Sequence, residues 1–66
     1  MVTPRDTIMR DIYKSLGLSV WDSWGDVFRK AKQKGETEGY ATFLANEWVD
    51  YRERNMGELL LHPRLS

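Results

Sequence analysis

Residues 20–28, VWDSWGDVF, place Trp21 and Trp24 about one helical turn apart, with Phe28 one turn further along the chain. At 100° per residue, apolar side chains within roughly 60° on either side of Trp24 would share one face of a helix. The other members of that face are Val20, Trp21, Val27, Phe28 and Ala31. The stretch therefore predicts an amphipathic helix with Trp24 in the centre of its buried face and Trp21 at the edge.

The flanking residues give this predicted helix the bounds 20–34. Ser19 and Asp22 have the spacing of a capping box, in which a serine and an acidic side chain satisfy the first free N–H groups. Gly35 follows the periodic pattern and is typical of a C-terminal stop. Carboxylates lie early in the segment and basic residues late, which is the order that the helix dipole favours.

A first helix is predicted over residues 4–16. Thr3 is its N-cap candidate, and Pro4 suits the first helical position. The apolar residues that recur at helical spacing are Ile8, Met9, Ile12, Tyr13 and Leu16. Gly17 then ends the helix as a left-handed cap.

A third helix is predicted over residues 37–56 from apolar residues that lie three, four and seven positions apart. They are Tyr40, Phe43, Leu44, Trp48 and Tyr51. Gly57 is expected to stop this helix. Residues 57–66 then form a tail, in which Leu59–Leu61 is either a last helical turn or a short extended segment before Pro63.

Three amphipathic helices with short connections predict an all-α fold, a small three-helix bundle in a single domain over residues 1–66. A chain of 66 residues buries only about 60% of its open-chain surface, so it needs additional stabilisation. The sequence has no cysteine and a single histidine, which excludes disulfides and histidine-rich metal sites. Dense packing of its eight aromatic residues, or self-association, is the remaining route.

No residue pattern indicates an enzyme, and we expect no cofactor and no metal. Catalysis requires a nucleophile with a base, a carboxylate pair in a cleft, or a metal constellation. His62 is the only imidazole and lies in the tail, where we expect an ordinary surface histidine. Asp22 and Asp26 share a helix face at i, i+4, but a solvated face that complements the dipole explains them.

The Leu-rich tail and the aromatic edge indicate a surface for another protein. Three consecutive leucines cannot all face one core, because neighbouring residues on a helix point about 100° apart. At least one is therefore exposed or covered by another chain, unless the tail folds back over the end of the bundle. We expect a non-enzymatic interaction module, such as a small accessory factor, inhibitor or adaptor, and homo-oligomerisation stays open. The expected contacts are Trp21, Tyr51, Leu60 and Leu61.

The alternative is a small nucleic-acid-binding regulator with a degenerate helix-turn-helix. Its contacts would be the basic run of the second helix, Arg29, Lys30, Lys32 and Lys34. The formal net charge of zero argues against this class. Asp22 and Asp26 would also face the phosphates and repel them. Nucleic acid is therefore the less favoured partner.

The sequence contains no apolar segment long enough to cross a membrane. The longest apolar run is three leucines, far below the ~20 residues of a membrane span, so we expect no membrane contact and a soluble, intracellular, cytoplasmic protein.

Glu47 falls inside the apolar arc of the third helix. It is expected to reach water at the rim, to pair with Arg5, Lys14 or a tyrosine hydroxyl, or to contact a ligand.

Overall fold

The computed structural model describes residues 4–65 and confirms the all-α bundle. Its helices are α1 (Pro4–Ser15), α2 (Trp24–Gln33), α3 (Glu38–Arg54) and α4 (Met56–Leu61). The leucine triplet therefore lies in a last helical turn, the first of the two predicted conformations. Among residues 4–65 there is no strand, only one isolated antiparallel bridge between Ser19 and Arg64.

Two glycines end α1 and α2 in the same way. Gly17 has φ 70° and Gly35 has φ 94°, a left-handed conformation that favours glycine. The N–H of Leu18 donates to the carbonyl of Tyr13, and that of Glu36 to the carbonyl of Ala31. These are the bonds of Schellman motifs, so both predicted stops are confirmed. The predicted N-cap Thr3 lies outside the described residues.

The predicted start of the second helix at residue 20 is wrong, because α2 begins at Trp24. The capping box is formed by Ser23 and Asp26, one turn later than predicted. Ser19 and Asp22 close a tight turn instead: the Ser19 N–H donates to Asp22 Oδ2 at 2.9 Å and the Asp22 N–H to the Ser19 carbonyl at 3.0 Å. Both serine–aspartate pairs have the same spacing, and only the second starts a helix.

A buried aromatic triad of Tyr13, Trp48 and Tyr51 forms the centre of the core. Tyr13 contacts the other two rings edge-on, with centroids 4.9 Å from Trp48 and 5.3 Å from Tyr51. Trp48 and Tyr51 are stacked at 5.8 Å. Edge-to-face and offset pairs of this kind stabilise a core by about 0.5–1.5 kcal/mol each beyond their burial. The triad joins α1 to α3.

Two polar atoms of the triad find backbone acceptors. The Tyr13 hydroxyl donates to the Leu44 carbonyl at 3.0 Å, and Trp48 Nε1 donates to the Asp22 carbonyl at 2.8 Å. Burial raises the pKa of the Tyr13 phenol well above its ordinary value, so Tyr13 stays a neutral donor. Because these groups are hydrogen-bonded, the triad avoids the penalty of unpaired buried polar atoms.

The prediction that Trp24 lies in the core is wrong, since its side chain is 40% exposed. Trp24 stacks on Phe28 with centroids 5.4 Å apart, and its Nε1 donates to Asn46 Oδ1 at 2.7 Å. The face that α2 buries is formed by Val27 and Ala31. The ring of Trp24 therefore covers the edge of the α2–α3 contact and leaves the centre to Trp48.

Ion pairs hold α1 against α3 in an antiparallel arrangement. Arg54 donates to the covered carboxylate of Asp6 at 2.8 Å. Arg5 pairs with Glu47 at 2.6 Å, which is one of the partners predicted for that half-buried glutamate. Because both arginines are about half exposed or more, these pairs contribute little on their own. Their value here is that they fix the register of α1 on a helix more than forty residues away.

We predict that Trp48→Phe lowers the free energy of unfolding by about 2 kcal/mol, through the lost ring volume and the lost indole hydrogen bond. Trp21→Phe, at a side chain that is 62% exposed, is the matched control and should change it by less than about 0.5 kcal/mol. Urea unfolding followed by circular dichroism measures both. Equal losses in the two variants would contradict the placement of Trp48.

We predict an acid-sensitive contribution from Asp6. The hydrogen bond from Arg54 holds the Asp6 pKa below its usual range, so the native state favours the carboxylate. This stability is complete above the unfolded-state pKa of about 3.9 and is lost as the pH falls through the native value. Asp6→Asn should therefore unfold at lower urea than the wild type at pH 7, with a gap that narrows below about pH 4. Asp11→Asn, at an exposed site on the same helix, should behave like the wild type at both pH values.

Candidate functional site

The short helix α4 presents an apolar surface, the outer face of α4, formed by Met56, Gly57, Leu60 and Leu61. Leu60 is 66% exposed and Leu61 is 78% exposed, whereas the adjacent Leu59 is buried. Successive side chains on a helix point about 100° apart, so anchoring Leu59 in the core turns the next two leucines outward. The expectation that at least one leucine of the triplet is exposed is confirmed.

The start of α4 differs from the predicted stop at Gly57. Asn55 caps the end of α3, with its N–H bonded to the Tyr51 carbonyl, and Gly57 lies inside the first turn of α4. The Leu59 N–H donates to the Asn55 carbonyl at 2.9 Å, which restarts the helix at once. The chain therefore turns at Asn55 and continues as a short helix in place of a loose tail.

Contacts at both ends hold α4 in place. Glu58 pairs with Arg10 of α1 at 2.6 Å. After the helix, the Val20 N–H donates to the Pro63 carbonyl at 2.7 Å and the Leu65 N–H donates to the Leu18 carbonyl at 3.1 Å. Leu65 is itself buried. The segment after α4 thus folds back on the bundle, and the outer face of α4 is left uncovered on a fixed support.

The structure separates the four predicted protein contacts. Leu60 and Leu61 are exposed side by side on α4, and Trp21 is exposed on the connection between α1 and α2. Tyr51 is only 3% exposed, because it belongs to the aromatic triad, so its prediction as a surface contact is wrong. A helical wheel cannot show which edge of the α3 stripe α1 covers.

Trp21 borders an open, polar cavity of about 240 Å³, the Lys30–Arg64 cavity. The residues that line it are Gly17, Ser19, Trp21, Asp22, Lys30 and Arg64. Lys30 Nζ donates to Asp22 Oδ2 at 3.0 Å and to the Gly17 carbonyl at 3.3 Å. The bridge between Ser19 and Arg64 holds the wall of the cavity in place.

The predicted nucleic-acid contacts are divided between paired and unpaired cations. Arg29 pairs with Asp26 at 2.8 Å, and Lys30 is held by Asp22 in the cavity. Lys32 and Lys34 are exposed and form no ion pair among residues 4–65. Residues 16–23 separate α1 from α2, and this connection is longer than the turn of three or four residues in a helix-turn-helix. The geometry of that motif is absent from this part of the chain.

Further exposed apolar side chains lie on α1 and α3, and the sequence pattern did not predict their exposure. Ile8 of α1 is 62% exposed, and Tyr40 and Phe43 of α3 are partly exposed and stacked with centroids 6.1 Å apart. The signal was the width of the α3 stripe, which is broader than one neighbouring helix can cover. Tyr40 and Phe43 both lie on one side of the buried face of α3, which contains Leu44 and Trp48.

Two further findings concern residues 4–65 as a whole. No group of three or more histidine, aspartate or glutamate side chains is arranged there to hold a metal ion. None of the helices described has both the length and the apolar character that a membrane crossing requires. His62 is exposed after α4.

No family model, curated protein or solved structure matches this chain.

We predict that the leucine triplet divides into one structural residue and two that stability does not require. Leu59→Ser should lower the free energy of unfolding by about 3 kcal/mol, since it removes a buried side chain and buries a hydroxyl. The pair Leu60→Ser and Leu61→Ser should together change it by less than about 1 kcal/mol. Urea unfolding compares the two. A double variant as unstable as Leu59→Ser would show that the outer leucines pack on the bundle.

Proposed function

We propose that this protein is a non-enzymatic interaction module that inserts the outer face of α4 into an apolar groove on another protein. The observation that carries the proposal is the exposure of Leu60 and Leu61 on a helix that Leu59 anchors to the core. Leucines exposed together in this way are typical of interaction sites. Through such contact the protein would act as a small accessory factor, inhibitor or adaptor.

The proposed contact is apolar and already ordered. The outer face of α4 contains no charged residue, and Glu58, the charged residue of this helix, is directed to Arg10. Burying a leucine side chain contributes about 1.5–3 kcal/mol. Because α4 is fixed by Leu59 and by the pairing of Val20 with Pro63, little ordering entropy opposes binding. A groove with apolar walls is the complementary surface for a short amphipathic helix.

The small size of the surface favours a groove on a different protein over a flat contact between two copies. The exposed face of a six-residue helix is convex, so two copies laid against each other touch only along a narrow strip. A concave partner surrounds the same side chains and covers more of each. We therefore commit to a heterologous partner, which leaves self-association as the competing outcome.

The experiment is quantitative affinity capture with the full chain from cells of the source organism. The baits are the wild type, Leu60→Ser/Leu61→Ser, and Ile8→Ser, which removes an apolar side chain of comparable exposure on a different helix. A protein retained by the wild type and by Ile8→Ser, and lost with the double variant, is then purified. We expect the double variant to bind it about 100-fold more weakly or worse, as the loss of two buried leucines implies.

Three outcomes would overturn the proposal. The first is that the purified partner binds the wild type and the double variant with equal Kd. The second is that Ile8→Ser abolishes binding as fully as the double variant does. The third is sedimentation of the wild type as a dimer that Leu60→Ser/Leu61→Ser converts to a monomer, which would assign the outer face of α4 to a second copy of the chain.

A further inference from the structure

The Lys30–Arg64 cavity is lined by two cationic side chains, Lys30 and Arg64, and by one carboxylate, Asp22. We infer that it binds a carboxylate group carried on a small apolar or aromatic body. This site is independent of the outer face of α4, and the inference does not rest on the proposed function.

Among residues 4–65, the charged side chains that line the cavity leave one cation without a counter-charge. Lys30 and Asp22 neutralise each other, at 3.0 Å. The Ser19 N–H also donates to the Asp22 carboxylate, which holds it in that position. Arg64 lines the same space and forms no ion pair among residues 4–65. One uncompensated positive charge matches one monoanion better than a phosphate dianion, which the nearby Asp22 would also repel.

The hydrogen-bonding groups of the cavity match a carboxylate as well. Arg64 brings a planar fork of N–H donors, which pairs with the two oxygens of a carboxylate. Lys30 uses two of its three N–H donors, on Asp22 and on the Gly17 carbonyl, and keeps one. Ser19 adds a hydroxyl that makes no hydrogen bond to residues 4–65. The free groups are donors, as an anion requires.

In the described part of the chain, Trp21 is the one large apolar side chain at the edge of this polar cavity, where the rest of the ligand could stack on it. Its indole borders the cavity and is 62% exposed, although burial of so large a ring would be favourable. The cavity volume of about 240 Å³ is smaller than the ~300–1,000 Å³ of pockets for drug-sized ligands. A single ring or a short side chain bearing a carboxylate suits these dimensions. The carboxylate has two sources, a free organic acid or the C-terminus of a peptide.

The test is an NMR titration of the full chain with phenylacetate and with N-acetylphenylalanine, which mimics a peptide C-terminus. We expect a Kd of about 1 mM or tighter. Chemical shift changes should concentrate on residues 17–22 and on the Trp21 indole N–H. Phenylacetamide, which has the same shape without the charge, should bind at least tenfold more weakly.

Variants separate this site from a general attraction to the surface. Arg64→Gln should weaken phenylacetate at least tenfold, whereas Arg29→Gln removes the same charge outside the cavity and should leave the Kd within about twofold. Because the contacts of residues 63–65 with residues 18–20 use backbone atoms, Arg64→Gln should keep the circular dichroism of the wild type. If Arg64→Gln does not fold, Trp21→Ala takes its place as the test variant. We expect Trp21→Ala to weaken the binding of phenylacetate at least tenfold as well.

Each outcome of the titration either identifies the class of ligand or overturns the inference. Tighter binding of phenylacetate than of N-acetylphenylalanine indicates a free acid, and the reverse indicates a peptide C-terminus. The inference is overturned if neither acid shifts residues 17–22, if phenylacetamide binds as well as phenylacetate, or if Arg64→Gln leaves the Kd unchanged.

Discussion

The hydrogen bond from the Trp48 indole to the carbonyl of Asp22 is the constraint on which the rest of the structure depends. Trp48 is fully buried, and a buried indole N–H requires an acceptor. Here the acceptor is a backbone carbonyl that lies outside the helices of residues 4–65. Residues 18–23 supply it, and Arg52 donates to the same carbonyl at 3.0 Å. The connection between α1 and α2 is therefore part of the core.

Several features of the surface follow from this requirement. Since Asp22 lies outside any helix, α2 begins only at Trp24, and Trp21 lies on a non-helical segment with its ring exposed. The same segment offers free backbone at Val20, which pairs with the Pro63 carbonyl and brings the chain after α4 back to the bundle. The Lys30–Arg64 cavity forms between these two segments. The buried indole of Trp48 therefore bonds to the same connection that carries Trp21 and one wall of the cavity.

The local sequence was sufficient to predict the helices, but it was insufficient to predict which face of each helix is buried. The periodicity of α1 and α3 and the stops at Gly17 and Gly35 are encoded within a few residues, and the structure has them. The start of α2 could not be predicted from spacing, because Ser19/Asp22 and Ser23/Asp26 have the same spacing and only the second pair caps a helix. The Asp22 carbonyl accepts a hydrogen bond from Trp48, twenty-six positions away along the chain, and local spacing does not show this contact. The placement of Trp24 at the centre of the core failed for the same reason.

The candidate surfaces also include some features that the sequence predicts and others that depend on tertiary contacts. That three consecutive leucines cannot share one core is a property of helix geometry, and it correctly indicated exposed residues in the triplet. Which of them is buried depends on the turn at Asn55, and the position of Tyr51 depends on the angle at which α1 crosses α3. The Lys30–Arg64 cavity could not be found from spacing alone, because Ser19 and Arg64 become neighbours only in the folded chain.

The long-range ties of α1 also set an order of events during folding. The α2–α3 hairpin is local, whereas Asp6 meets Arg54 and Arg10 meets Glu58 across 48 positions of sequence. Contacts between distant segments form late, because the loop-closure entropy must be overcome first. Because α1 precedes α3 and α4 in the chain, its apolar stripe has no partner until those two helices have been synthesised. We therefore expect α1 to dock after the α2–α3 hairpin has formed.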